Sequence, residues 1–217
     1  MGKKKRTIKR ELKDKNFKVA IFGSSRIKKG ASIYKEIKKF AKKLGERDMD
    51  VITGGGPGLM KAASEGHIEG SKNNKSHTIG LAIRLQNEQK PNKYLDVIKS
   101  FSRFSGRLDN FMLLSNVIVV APGGVGTLLE LFYSWQLMQV KHICNIPIIL
   151  LGKQWPDFLK WIEKYPLKNK LLNKRDVELL FIVKNCDEAL EIIDVAHKDY
   201  KKGGGNFCLN YKKYKIK

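Results

Sequence analysis

Two glycine clusters carry the chemistry-bearing pattern of this sequence: Gly54-Gly55-Gly56-Pro57-Gly58 and Pro122-Gly123-Gly124-Val125-Gly126-Thr127. Each follows a short apolar run and precedes a stretch of helical periodicity. Glycine admits positive φ and lets backbone N–H groups approach an anion closely. A helix N-terminus directly after the turn adds unsatisfied N–H donors and a partial positive charge. Gly124 to Thr127 therefore reads as a phosphate cradle, with the Thr127 hydroxyl as a further donor. Two such turns on one rim outweigh the alternative of tight turns without a ligand. The dinucleotide pattern G-x-G-x-x-G fails at both clusters, because the sixth positions are Leu59 and Leu129. The P-loop fails as well: Gly152-Lys153 is followed by Gln154.

The elements that must position these turns alternate along the chain. Residues 18–22 read as a strand closed by Gly23-Ser24-Ser25, and 49–53, 78–85, 147–151 and 177–183 read as further strands. Residues 117–121 form a β-branched run that suits a central parallel strand buried on both faces. Between them, 32–44 place Ile33, Ile37, Phe40, Ala41 and Leu44 at helical spacing. Residues 59–69, 104–115, 127–140, 158–164 and 187–196 also read as helices, and 86–93 as a polar loop. This alternation predicts an α/β fold: a single-domain, doubly wound, Rossmann-like parallel sheet with helices on both faces. The expected domain spans residues 17–200, between a basic flexible arm (1–16), with a short helix as the alternative there, and a basic flexible tail (201–217).

The 217 residues are 42% hydrophobic and 29% charged, which suits one globular core. The net charge is +22, but more than half of the excess lies in residues 1–18 and 198–217. The apolar runs are far short of the ~20 residues of a membrane span. No apolar stretch follows the basic N-terminus at signal-peptide distance, so a cytoplasmic protein without a membrane partner is expected. Three widely spaced cysteines without Cys-x-x-Cys, and four histidines without ligand spacing, suggest no metal site.

At this point the motifs resemble a known family. Pro122 to Glu130 matches P-G-G-x-G-T-x-x-E, and Gly54 to Met60 matches G-G-G-x-x-G-[LI]-M. Both are marks of the LONELY GUY family, often labelled lysine decarboxylases. Gly23-Ser24-Ser25-Arg26 resembles the family's G-S-[SA]-R turn. Gly80-Leu81-Ala82-Ile83, with the segments around Glu88 and Asn92, resembles the strand and loop of one branch. The resemblance covers about residues 17–165. It implies a catalytic pair, Glu130 and Arg107; the arginine stands fifteen positions before the motif's proline, with Leu108 where a lysine is usual. It also implies that Gly23, Ser24, Ser25, Gly55, Gly56, Gly123, Gly124, Val125, Gly126 and Thr127 contact the nucleotide, with Glu88 and Asn92 at the substrate mouth.

Family members hydrolyse the N-glycosidic bond of nucleoside 5′-monophosphates, so AMP or N6-modified AMP is the implied substrate, with no cofactor. The residues suit this. Bond cleavage develops positive charge on the ribose, which a carboxylate stabilises while orienting water. Glu130 lies about one helical turn beyond Gly126, so one helix holds phosphate and carboxylate together. Arg107 either keeps Glu130 ionised or binds ribose or phosphate. The resemblance further implies a homodimer; Phe132, Trp135 and Val140 are candidates for its face, with ordinary core contacts as the alternative. A non-catalytic nucleotide- or phospholigand-binding protein of the same fold is the alternative. Nucleic acid enters only as non-specific, salt-dependent binding by the basic tails. Lysine decarboxylation would need a pyridoxal phosphate lysine, which no motif singles out.

Overall fold

The computed structural model describes residues 7–72, 75–85 and 90–203. Seven strands form one sheet in which every pairing is parallel: β1 (Lys18–Phe22), β2 (Asp50–Thr53), β3 (Thr78–Ile83), β4 (Val97–Phe101), β5 (Val117–Val120), β6 (Ile148–Leu151) and β7 (Leu180–Val183). Their order is β4-β3-β2-β1-β5-β6-β7. The chain winds outward from β1 to one edge, returns, and winds to the other edge. This is the doubly wound α/β architecture of Rossmann type, with its switch point between β1 and β5.

Successive strand residues point to opposite faces, and the sheet carries a core on each. Val19, Ile21, Val51, Val117 and Val119 pack under α2 (Ser32–Gly45), α3 (Leu59–Gly70) and α8 (Cys186–Lys201). Ala20, Phe22, Ile52, Ile118 and Val120 pack under α4 (Phe104–Leu114), α5 (Val125–Gln139) and α6 (Trp155–Ile162). All four residues of β5 are buried, as expected of a strand covered on both sides. A π-helical turn, Glu163–Leu167, continues α6, and α7 is Lys174–Val177.

The structure refines the sequence reading at three places. Within the expected arm residues 8–11 form α1 (Ile8–Glu11), the short helix allowed there, and Ile8 is buried in the second core. The rest of the arm before residue 7, and the tail from residue 204, lie outside the described residues. Residue 177 closes α7 rather than opening a strand, because Asn173 and Asp176 make a capping box that starts a helix there. The strand β4 went unread. As an edge strand it buries only Val97 and exposes Lys99 and Ser100, so it lacks the run that marks β5. Its register is set by Asp96, whose Oδ2 accepts from Thr78 N at 2.8 Å and from Thr78 Oγ1 at 2.9 Å. Among the described residues no helix is long and apolar enough to cross a membrane.

Candidate active site

The carboxyl ends of β1, β2, β3 and β5 open onto a cavity of about 660 Å³. That volume suits a nucleotide-sized ligand, and the position is the one where doubly wound sheets bind. The wall is built from Gly23 to Arg26 after β1, Gly54 to Gly56 after β2, Ala82, Ile83 and Leu85 at the end of β3, and Gly124 to Thr127 at the start of α5. Met60, Pro91, Phe104, Arg107 and Glu130 complete it.

Backbone hydrogen bonds lock the three turns together. Ser24 N donates to Pro122 O at 3.0 Å, and Leu59 N donates to Ser24 O at 2.9 Å. Gly58 has φ +65°, and a Cβ there would strike the backbone of Ser24 and Ser25. Only glycine lets the second turn close on the first. Sequence periodicity starts α5 at residue 127. The structure starts it at Val125, with Gly124 as N-cap and no side chain capping it. The amides of the first turn are therefore presented toward the cavity, as an anion site requires.

The charged pair sits at the inner wall. Arg107 Nη2 lies 3.0 Å from Glu130 Oε1, and both side chains are about nine-tenths buried. Arg107 is held from two further sides. Its Nε donates to Leu81 O at 2.7 Å, and its guanidinium lies 5.3 Å from the centre of the Phe111 ring. Gly54 has no side chain where that guanidinium passes; a Cβ would collide with Nη2. Burial pushes the Glu130 carboxyl up to about 7, and Arg107 opposes the shift without cancelling it. Desolvation thus outweighs one ion pair, and Glu130 is poised to change protonation near neutrality.

Most of the expected site residues meet here: Gly23, Ser24, Ser25, Gly55, Gly56, Gly124, Val125, Gly126, Thr127, Arg107 and Glu130 all line the cavity. Gly123 does not. It makes room for Thr127, whose side chain occupies the space a Cβ would fill. Asn92 does not line it either. It is buried behind the second turn, where Nδ2 donates to Gly55 O at 3.1 Å and Gly56 O at 3.2 Å. Its own backbone N donates to Gly55 O at 2.8 Å. A short polar side chain in a loop gives no sequence sign of which carbonyls it will brace. Glu88 lies outside the described residues. Trp135, a candidate for a dimer face or a core contact, is the latter: it is buried and its Nε1 donates to Asp176 O at 2.7 Å. Phe132 and Val140 are exposed.

Sequence reasoning gave no site role to Arg26, Met60, Phe104 or the apolar exit of β3. Arg26 and Met60 stand inside the two quoted motifs, so the signal was present. Phe104 and Leu85, about half exposed at the rim, form an apolar end opposite the polar one. Replacing Asn92 by Ala is expected to leave the Gly56 carbonyl without its side-chain donor and to remove one of the two donors on the Gly55 carbonyl, whose bond from the residue 92 backbone N remains. The cost should be about 1–3 kcal/mol in thermal denaturation. A solvated mouth residue would cost less than about 0.5 kcal/mol.

Fold and site together define a doubly wound α/β protein with a nucleotide-sized cavity at its switch point, walled by two glycine turns and a buried Arg–Glu pair. Residues 60–193 match the family model described as "Possible lysine decarboxylase", and the chain belongs to that family, the one its motifs resemble. The "Pyrimidine/purine nucleotide 5'-monophosphate nucleosidase" of Escherichia coli is 26% identical over 154 residues, covering 68% of this chain and 34% of that protein. The chain therefore spans about a third of the length of this curated relative. Two solved structures share the fold. The molybdenum cofactor binding protein of Rippkaea orientalis has a TM-score of 0.64 at 17% identity, covering 83% of this chain and 96% of that one. The molybdenum cofactor carrier protein of Chlamydomonas reinhardtii has a TM-score of 0.61 at 19% identity, covering 84% and 99%.

Proposed function

We propose that this chain hydrolyses the N-glycosidic bond of nucleoside 5′-monophosphates, AMP or an N6-modified AMP first among them. The products are free base and ribose 5-phosphate. The observation that carries the reading is the buried Glu130, 3.0 Å from Arg107, on the same helix whose uncapped first turn faces the cavity. The 5′-phosphate sits on Gly124 to Thr127, about one turn, or roughly 5.4 Å, from the carboxylate. The base lies toward Phe104, Leu85 and Met60. As the C1′–N bond breaks, positive charge grows on the ribose, and ionised Glu130 stabilises it. The same carboxylate orients the attacking water and takes its proton as the C1′–O bond forms; the departing base takes a proton from solvent and Glu130 returns its own to solvent, so the carboxylate ends ionised. Arg107 keeps a fraction of Glu130 ionised at neutral pH and fixes its rotamer. The E. coli relative, a nucleotide 5'-monophosphate nucleosidase, supports this reading.

The decarboxylase description fits less well. No lysine lines the cavity among the described residues, so the side chain for a pyridoxal phosphate Schiff base is not on its wall. A non-catalytic binder is the second reading, and one observation favours it. Leu108, at the position of the family's usual lysine, is buried in the protein and brings no charge to the cavity. A homodimer belongs to the proposal through the apolar side chains that α5 leaves exposed, Leu129, Phe132 and Val140; the elution volume in size-exclusion chromatography tests it.

Base release from AMP, GMP, CMP, UMP and isopentenyl-AMP, followed by chromatography beside the matching nucleosides, tests the activity. Release from monophosphates alone is expected. No release from any of them, with AMP still bound in calorimetry, transfers the assignment to the binding protein.

A further inference from the structure

The helices that carry Arg107 and Glu130 are joined at a second point. Tyr133 Oη donates to Asp109 Oδ1 at 2.5 Å. Tyr133 follows Glu130 by three residues on α5, and Asp109 follows Arg107 by two on α4. The two halves of the ion pair are anchored differently. Arg107 is tied to the sheet through Leu81 O and rests on Phe111. The side-chain partner of Glu130 is Arg107 itself, so the place of its carboxylate depends on where α5 sits.

We propose that the Tyr133–Asp109 hydrogen bond is a positioning clamp that sets α5 against α4 so that Glu130 meets Arg107 over the cavity. Its catalytic meaning rests on the hydrolase reading above. Neither residue lines the cavity, so both act through the pair and not on substrate. Among the described residues the charged groups facing Glu130 are few. Arg107 reaches it from α4, and Arg26 lines the same cavity from the turn after β1. Among the described residues the β3 wall offers Ala82, Ile83 and Leu85, and the first turn of α5 offers Thr127. Release of the clamp lets Glu130 drift from Arg107. The attraction that opposes desolvation then weakens, and the carboxyl titrates at higher pH.

The test uses the full chain labelled with 13C-glutamate. Glu130 is assigned by the signal lost in Glu130→Gln, and its titration is followed in wild type, Tyr133→Phe, Asp109→Ala and Asp109→Asn. Melting curves show which variants stay folded. The midpoint should rise by about half a pH unit or more in Tyr133→Phe and Asp109→Ala. It should stay near wild type in Asp109→Asn, whose amide oxygen still accepts from Tyr133. With AMP, kcat should fall about 10-fold in the first two variants, with KM within about 2-fold, as a misplaced catalytic group predicts. An unchanged Glu130 midpoint in both folded variants overturns the clamp. Should one of them fail to fold, the other decides. A wild type that releases no base overturns the hydrolase reading alone, because the NMR titration still tests the clamp.

Discussion

Replacing Glu130 by Gln is expected to lower base release from nucleoside monophosphates about 10³-fold, within the range for a general base that also stabilises charge. The substitution keeps the shape and leaves an oxygen for Arg107, so the loss reads the charge and not the fold. The pH dependence gives a sharper test. Glu130 acts ionised and its carboxyl titrates at about 7, so kcat/KM should fall as pH drops through 7 and level off above about pH 8. The substrate phosphate titrates near pH 6, which would place a phosphate-controlled limb about one unit lower. Arg107→Ala should cost about 10²-fold and move the limb to higher pH, because it removes the group that opposes desolvation.

The same group marks the stability curve. The Glu130 carboxyl rises from 4.5 in the unfolded chain to about 7 in the folded one. Between those values the folded protein binds more protons than the unfolded, so stability falls as pH rises. The contribution is complete below pH 4.5 and lost once pH passes 7. A shift of this size corresponds to about 3 kcal/mol as an upper figure. Melting temperatures of wild type and Glu130→Gln across pH 4.5–8 should therefore differ in slope, with the variant flatter. Parallel curves would mean that Glu130 is not desolvated in the folded protein.

The second large effect is on the opposite face, at Gly66. There α2 and α3 approach until backbone meets backbone: a Cβ at Gly66 would overlap Lys38 O, and one at Gly70 would overlap Lys42 O. In an open helix, Gly→Ala gains about 1 kcal/mol of propensity. Here the added methyl must push α3 off α2, and Gly66→Ala should destabilise by about 3 kcal/mol. For a chain of this length that lowers the melting temperature by roughly 6–12 °C. Gly30→Ala is the control, since a Cβ there meets nothing within 4 Å. A Gly66→Ala protein as stable as wild type would show that the helices do not pack this closely. Because α3 begins at the second glycine turn, a displaced α3 should also weaken nucleotide binding.

Strand and helix alternation, the buried run at 117–121, the two glycine turns and the place of Glu130 one turn into α5 were all legible in the sequence. Each is a short-range property: side-chain periodicity, turn chemistry and helix starts are written within a few residues. The resemblance named Arg107 as the partner of Glu130; what the sequence could not place was its side chain. That the guanidinium passes over Gly54, bonds to Leu81 O and reaches Glu130 depends on β3, α4 and α5 converging at the switch point. Asn92 as a brace and β4 as an edge strand were hidden for the same reason: their roles lie with partners far along the chain. The raised carboxyl of Glu130 belongs to tertiary structure most completely. Desolvation is set by everything packed around a group, and no local pattern of residues records how much water the finished fold excludes.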